Sequence, residues 1–276
     1  MAKKEVALRE DAENQVIPFG DVPDYIRNQE QTGLENLGQT DFKIPRMLTL
    51  DPKSPAVTTF PGEALPGHFW HTGVSRDMGT EFLFVPCTVN KRVVLWNTRE
   101  SGGGILAMSR DGVHWQQGAN QTFTVKIKNI TKPVQWSTGR DVKSSGLLEW
   151  GTYNPDDERS GPAAQLSYEY LIWLLEYPEL SPCFMGCFRT ALANAKQLNT
   201  ALLALKKPIT SVAVRAFLES KKKDGNEWSV PNFQLKGWAP KDVADKATRI
   251  ADASANYMSK ADLDADQEPT EDSDKY

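Results

Sequence analysis

The chain has 276 residues, 39% of them apolar, and a formal net charge of −4. That is enough apolar material for a substantial core, while the best apolar run, Tyr170–Leu175, falls far short of the roughly 18 residues of a membrane helix. The charge is unevenly spread: residues 1–30 carry four Lys/Arg against seven Asp/Glu, 31–261 carry 27 against 22, and 262–276 carry one against seven.

The N-terminus, Met1-Ala2-Lys3-Lys4-Glu5, starts basic but lacks the apolar stretch of a signal peptide. Three cysteines, Cys87, Cys183 and Cys187, leave an odd thiol and make no disulfide framework. A reducing cytoplasm is the expected compartment. Residues 1–40 scatter Pro18, Pro23, Gly20, Gly33 and Gly38 among acids with little periodicity, and read as a loosely docked or disordered arm. Asp41–Leu48 alternates enough for a strand, and Pro45 within it predicts an edge position.

From residue 80 the pattern is β. Glu81–Asn90 and Lys91–Asn97 read as strands, Gly102–Gly104 as a hinge into Ile105–Met108, and Asp111-Gly112 as a turn. Phe123, Val125 and Ile127 alternate with Thr124, Lys126 and Lys128, which predicts a strand with one apolar and one basic face. Val134–Trp136 is a further short strand. Helical spacing of Ala163, Leu166, Tyr170, Trp173 and Leu174 predicts a helix near 162–176, opened by Pro162. A stripe of Leu192, Ala195, Leu198, Leu202 and Leu205 predicts a second helix over 190–206, stopped by Pro208. A hairpin over Ser211–Leu235 and an alanine-rich helix over 241–261 follow, and then the acidic tail, 262–276. The expected organisation is the arm, a β-rich domain over 41–240, the last helix and the tail. The fold class is α+β and β-rich: an oligonucleotide-binding (OB)-like β-barrel or strongly curved antiparallel sheet with two or three added helices.

No catalytic constellation is legible. His68-Phe69-Trp70-His71 lacks the glutamate of the zincin signature, Cys183 and Cys187 lack a second ligand pair, and Gly102–Gly104 lacks the Lys-Ser/Thr of a phosphate loop. Asp156-Asp157-Glu158 has no companion carboxylate motif, and Ser101, Ser109 and Ser160 sit in no nucleophile elbow. The expectation is a non-enzymatic protein with no metal and no cofactor.

Basic and aromatic residues are interleaved instead. Residues 86–146 hold nine Lys/Arg against three Asp/Glu, with Trp96, Trp115, Trp136 and then Trp150 recurring about every twenty residues. Single strands need both features: cations track phosphates and flat rings stack on unpaired bases. The candidate nucleic-acid contacts are Arg92, Trp96, Arg99, Arg110, Trp115, Lys126, Lys128, Trp136 and Arg140. The competing explanation is that the tryptophans plug a core and the lysines face water.

The β-rich body, the added helices, this basic and aromatic face, and an acidic tail ending on an aromatic resemble the single-stranded DNA-binding proteins of tailed phages. The tail pattern falls on Asp264, Asp266, Glu268, Glu271, Asp272, Asp274 and the terminal Tyr276, with Lys275 interrupting and tyrosine where phenylalanine is usual. The resemblance implies an OB barrel that binds single-stranded DNA without sequence preference. It also implies a tail that shields the groove and recruits replication proteins such as polymerase and helicase, here through Asp272, Asp274 and Tyr276. The setting implied is DNA replication or recombination in the host-cell cytoplasm. The alternative is a protein-interaction or virion component that uses the tail and the N-terminal arm and holds no nucleic acid.

Overall fold

Residues 44–96, 105–116, 121–127, 130–136, 139–153, 160–223 and 226–258 are described by this computed structural model. The N-terminal arm, the glycine hinge at Gly102–Gly104, the acidic triplet 156–158 and the acidic tail lie outside the described residues.

The described strands are β1 (Arg46–Thr49), β2 (Phe69–His71), β3 (Arg76–Asp77), β4 (Glu81–Trp96), β5 (Ile105–Ser109), β6 (Gln121–Ile127), β7 (Ile130–Trp136), β8 (Ala164–Leu174), β9 (Cys183–Phe188), β10 (Val212–Lys223) and β11 (Asn226–Trp238). The described helices are the short α1 (Pro55–Thr59), α2 (Leu192–Ala204) and α3 (Lys241–Met258). Nine strands form one sheet in the order β11-β10-β4-β8-β9-β1-β2-β3, with β5 also on β4, and β6 and β7 pair as a separate hairpin. The fold is therefore β-rich α+β, a strongly curled half-barrel with added helices. Bulges where register shifts between Pro86 and Thr88, Leu95 and Trp96, and Ala213 and Val214 each add local twist and bend the sheet.

Most pairs are antiparallel, but β1 runs parallel to β9 while its other side pairs with β2. This corrects the expected edge strand: β1 is interior. Pro45 is tolerated because it stands before the first ladder residue and uses only its carbonyl, which accepts from Phe184 N at 2.8 Å.

The helix expected near 162–176 is also corrected, since Ala164–Leu174 is strand β8. Tyr170, Ile172 and Leu174 enter one core beneath α2, while Leu171 and Trp173 pack on the opposite face against α3. With apolar residues on both faces the period-2 alternation is erased, and a strand buried on both sides mimics helical spacing.

The main core lies on the face of the sheet that α2 covers. Phe82, Phe84, Tyr170, Met185 and Val214 meet Ala195, Leu198 and Leu202 of α2 there. The Tyr170 hydroxyl donates to Asn199 Oδ1 at 2.7 Å, and burial pushes its pKa up. α3 covers the other face over Val85, Cys87 and Leu171 through Ala247, with Val243 and Ile250 beside it. All three cysteines are free and buried, and desolvation pushes their thiols up to about 12, which makes them packing groups.

Candidate nucleic-acid interface

The far half of β4, together with β5 and the start of β8, builds a second small core from Val93, Leu95, Ala107, Val142, Leu147 and Ala164 around Trp115. Trp115 is fully buried, at 0% exposure. Its backbone N–H donates to Arg140 O at 2.9 Å, and its carbonyl accepts from Gly139 N at 2.6 Å. Val142 N donates to Val113 O at 2.7 Å, so segment 113–116 clasps segment 139–142. These bonds close the base of the β6–β7 hairpin. The arm's strands are seven residues each, a reach of roughly 23 Å at about 3.3 Å per residue. Its register sets Gln121 opposite Trp136, Phe123 opposite Val134, Val125 opposite Lys132 and Lys126 opposite Thr131.

A carboxylate stiffens the turn that feeds this base. Asp111 Oδ1 accepts from Val113 N at 2.7 Å, His114 N at 2.9 Å and Ser109 Oγ at 2.8 Å. Burial alone would raise the Asp111 pKa, but these hydrogen bonds favour the anion and hold it at about 2. Gly112 follows at φ +67°, and a Cβ there would lie 2.6 Å from Lys91 Cδ. The sequence therefore needs glycine at this turn for both its backbone angle and its packing.

The return from the arm runs through exposed Arg140 and Lys143 to Trp150, which is 73% exposed. The loop that presents Trp150 is tied down on either side. Thr152 Oγ1 donates to Glu149 O at 2.6 Å and accepts from Ala163 N at 2.8 Å, and Gly151 N donates to Ser160 O at 2.7 Å. An exposed indole on a fixed loop is a ring whose ordering cost is already met before a ligand arrives.

Two of the sequence-predicted contacts are corrected. Trp115 cannot stack on a base, because it is enclosed by the small core. Arg92 is only 12% exposed in its side chain, with Nη1 3.5 Å from Glu169 Oε1 and Nε 2.9 Å from Met108 Sδ. Its charge is turned onto a carboxylate instead of towards solvent. Sequence reasoning missed the other half of this group: Arg46, whose Nη1 lies 2.9 Å from the same Glu169 oxygen. Arg46 and Glu169 are 123 positions apart, so no local pattern announces the pair.

Arg110 is half-buried and Arg140 is exposed. Trp96 ends β4 and Lys126 and Trp136 lie on the arm, with only their backbone described. Arg99, Lys128, Asp272, Asp274 and Tyr276 lie outside the described residues.

Among the described residues, His68 and His71 each have a structural partner. His68 Nδ1 is 2.9 Å from Asp77 Oδ2, whereas His71 is buried and directs Nε2 to Leu180 O at 3.1 Å. Desolvation lowers the His71 pKa despite that carbonyl. The two histidines thus face different partners, and among the described residues no group of His, Cys, Asp and Glu is arranged to hold a metal ion. An open cleft of about 320 Å³ at the other end of β4 is lined by Glu81, Glu176, Arg215 and Lys236. Arg215 there is paired with Glu81, and Glu176 accepts from Leu83 N. No described helix is long and apolar enough to cross a membrane.

Fold and surface together define a β-rich α+β protein whose curled sheet carries a pinned hairpin arm and a fixed, exposed tryptophan. The chain belongs to the Pam3 phage gp34-like family, whose model matches residues 12–258. No curated protein and no solved structure matches it.

Proposed function

We propose that this phage-family protein is a non-enzymatic, sequence-independent single-stranded DNA-binding protein of replication or recombination. The observation that carries the reading is the pairing of a clasped hairpin, whose sequence carries Lys126, Lys128 and Lys132, with exposed Arg140, Lys143 and Trp150 on the segment returning from it. Cations on an extended arm suit a flexible phosphate backbone, and a fixed indole suits unpaired bases of any sequence. The acidic segment 262–276 would compete with DNA for these cations and, through Asp272, Asp274 and Tyr276, engage replication proteins in the host cytoplasm.

The arm is tested by replacing Lys126 and Lys128 together with alanine. Affinity for all oligonucleotide sequences should fall alike, and the log–log dependence on salt should flatten by about 0.7 for each phosphate no longer held. Anisotropy of a labelled oligo-dT read from low to high salt measures both, with circular dichroism to confirm folding. Unchanged affinity at low salt removes the arm from the interface.

A further inference from the structure

We propose that the β6–β7 arm is an interaction surface for a second copy of this chain, the two arms packing apolar face to apolar face. The proposal stands independently of the DNA-binding reading above and adds a surface to the molecule.

The register of the arm carries it. Residues directly opposite each other in an antiparallel ladder share a face, and faces alternate along each strand. The pairs Gln121–Trp136, Phe123–Val134, Val125–Lys132 and Ile127–Ile130 therefore occupy one face, where six of the eight positions are large and apolar. The pairs Thr122–Gln135, Thr124–Pro133 and Lys126–Thr131 occupy the other, which carries no large aliphatic or aromatic residue. Neither strand contains an acid.

Such a hairpin needs a backing. A lone two-stranded sheet is marginally stable at best in water, and gains stability by packing an apolar face against another element. Among the described elements no third strand joins β6–β7 and no helix packs along it. The clasp between segments 113–116 and 139–142 holds only its base.

Size and symmetry select the second copy. When covered, Phe123 and Trp136 would bury roughly 150–250 Å² each. Val125, Ile127, Ile130 and Val134 would add roughly 60–120 Å² each. The total, about 500–1,000 Å² for each copy, brackets the roughly 800 Å² per partner of a stable interface. A two-fold axis through the face sets the pairs against one another in reverse order. Gln121–Trp136 then meets Ile127–Ile130 of the second copy, and Phe123–Val134 meets Val125–Lys132. Each Lys132 is thus placed across from a phenylalanine position, which suits a cation, instead of across from the other Lys132. Face-to-face packing is favoured over edge-to-edge joining, because Pro133 marks β7 as an edge that further strands do not extend. The face that holds Lys126 stays outside this four-stranded sandwich.

Sedimentation of the full chain over a range of concentrations tests the proposal, and a reversible monomer–dimer equilibrium is expected. Phe123→Asp and Val134→Asp each put a charge at the centre of the apolar face and should raise the dimer dissociation constant at least about thirtyfold. Thr124→Asp, on the opposite face, should leave it within about threefold. Hydrogen exchange of the wild-type chain needs no variant: amides of β6 and β7 should exchange more slowly as concentration rises. A wild-type chain that stays monomeric overturns the proposal, as does a dimer that the two apolar-face variants leave intact. Exchange in β6–β7 that is independent of concentration also overturns it. A monomer whose apolar-face variants melt earlier would assign the face to the chain's own body, and one whose variants lose only oligo-dT affinity would assign it to DNA; either result contradicts the second copy.

Discussion

Trp115→Ala is expected to cost about 3–5 kcal/mol of folding stability, the usual penalty for truncating a fully buried tryptophan. Trp115 is 0% exposed and sits among Val93, Leu95, Ala107 and Leu147. Removing the indole would leave a cavity in a small core with few atoms able to collapse into it. The same residue makes two of the three backbone bonds that close the base of the arm, so a shift of its backbone into the cavity should spread the damage to the β6–β7 hairpin. Against a typical total of about 5–15 kcal/mol this is a large fraction. Thermal or denaturant unfolding should show a strongly lowered midpoint, and any loss of oligonucleotide affinity should follow the loss of folded protein. A midpoint close to wild type would mean that Trp115 is not the keystone of this end of the sheet.

Trp150→Ala is expected to do the reverse. At 73% exposure the indole has little burial to lose, so stability should change by no more than about 0.5 kcal/mol. Stacking on one base contributes roughly 1–3 kcal/mol, so affinity for oligo-dT should fall about five- to a hundredfold. Anisotropy titration and a melting curve on one preparation separate the two quantities. Unchanged affinity would show that Trp150 is exposed for some other reason. Together these variants sort the tryptophans by position: one ring is expected to support the fold and the other to bear on affinity.

The parts of the fold legible in the sequence are those whose burial has a single period. α2 shows its leucine stripe and its Pro208 stop, α3 its alanine-rich face, and β10–β11 two runs joined at a glycine turn. Strand β4 is legible as two strands, Glu81–Asn90 and Lys91–Asn97, but is one continuous strand of 16 residues. Strand β8 is not legible as a strand, because α3 buries the face that would otherwise be polar. The site is half legible. The density of basic residues and tryptophans around 86–150 is what suggests the proposed nucleic-acid surface, yet a tryptophan's burial depends on which distant segments close over it. Trp115 and Trp150 belong to the same regular series of tryptophans in the sequence and have opposite fates in space. Arg92 likewise reads as a phosphate contact until Glu169, from another strand, claims it.

The most direct test is a titration of labelled oligo-dT with the full-length wild-type chain, followed by anisotropy at several salt concentrations. Binding at low salt should be saturable. Log affinity should then fall linearly with log salt at a slope of about −0.7 per phosphate contacted. Poly-purine and mixed-sequence oligonucleotides should give similar affinities, and duplex DNA a weaker one. No binding at the lowest salt concentration, or binding independent of salt, would contradict single-stranded DNA as the ligand of this surface.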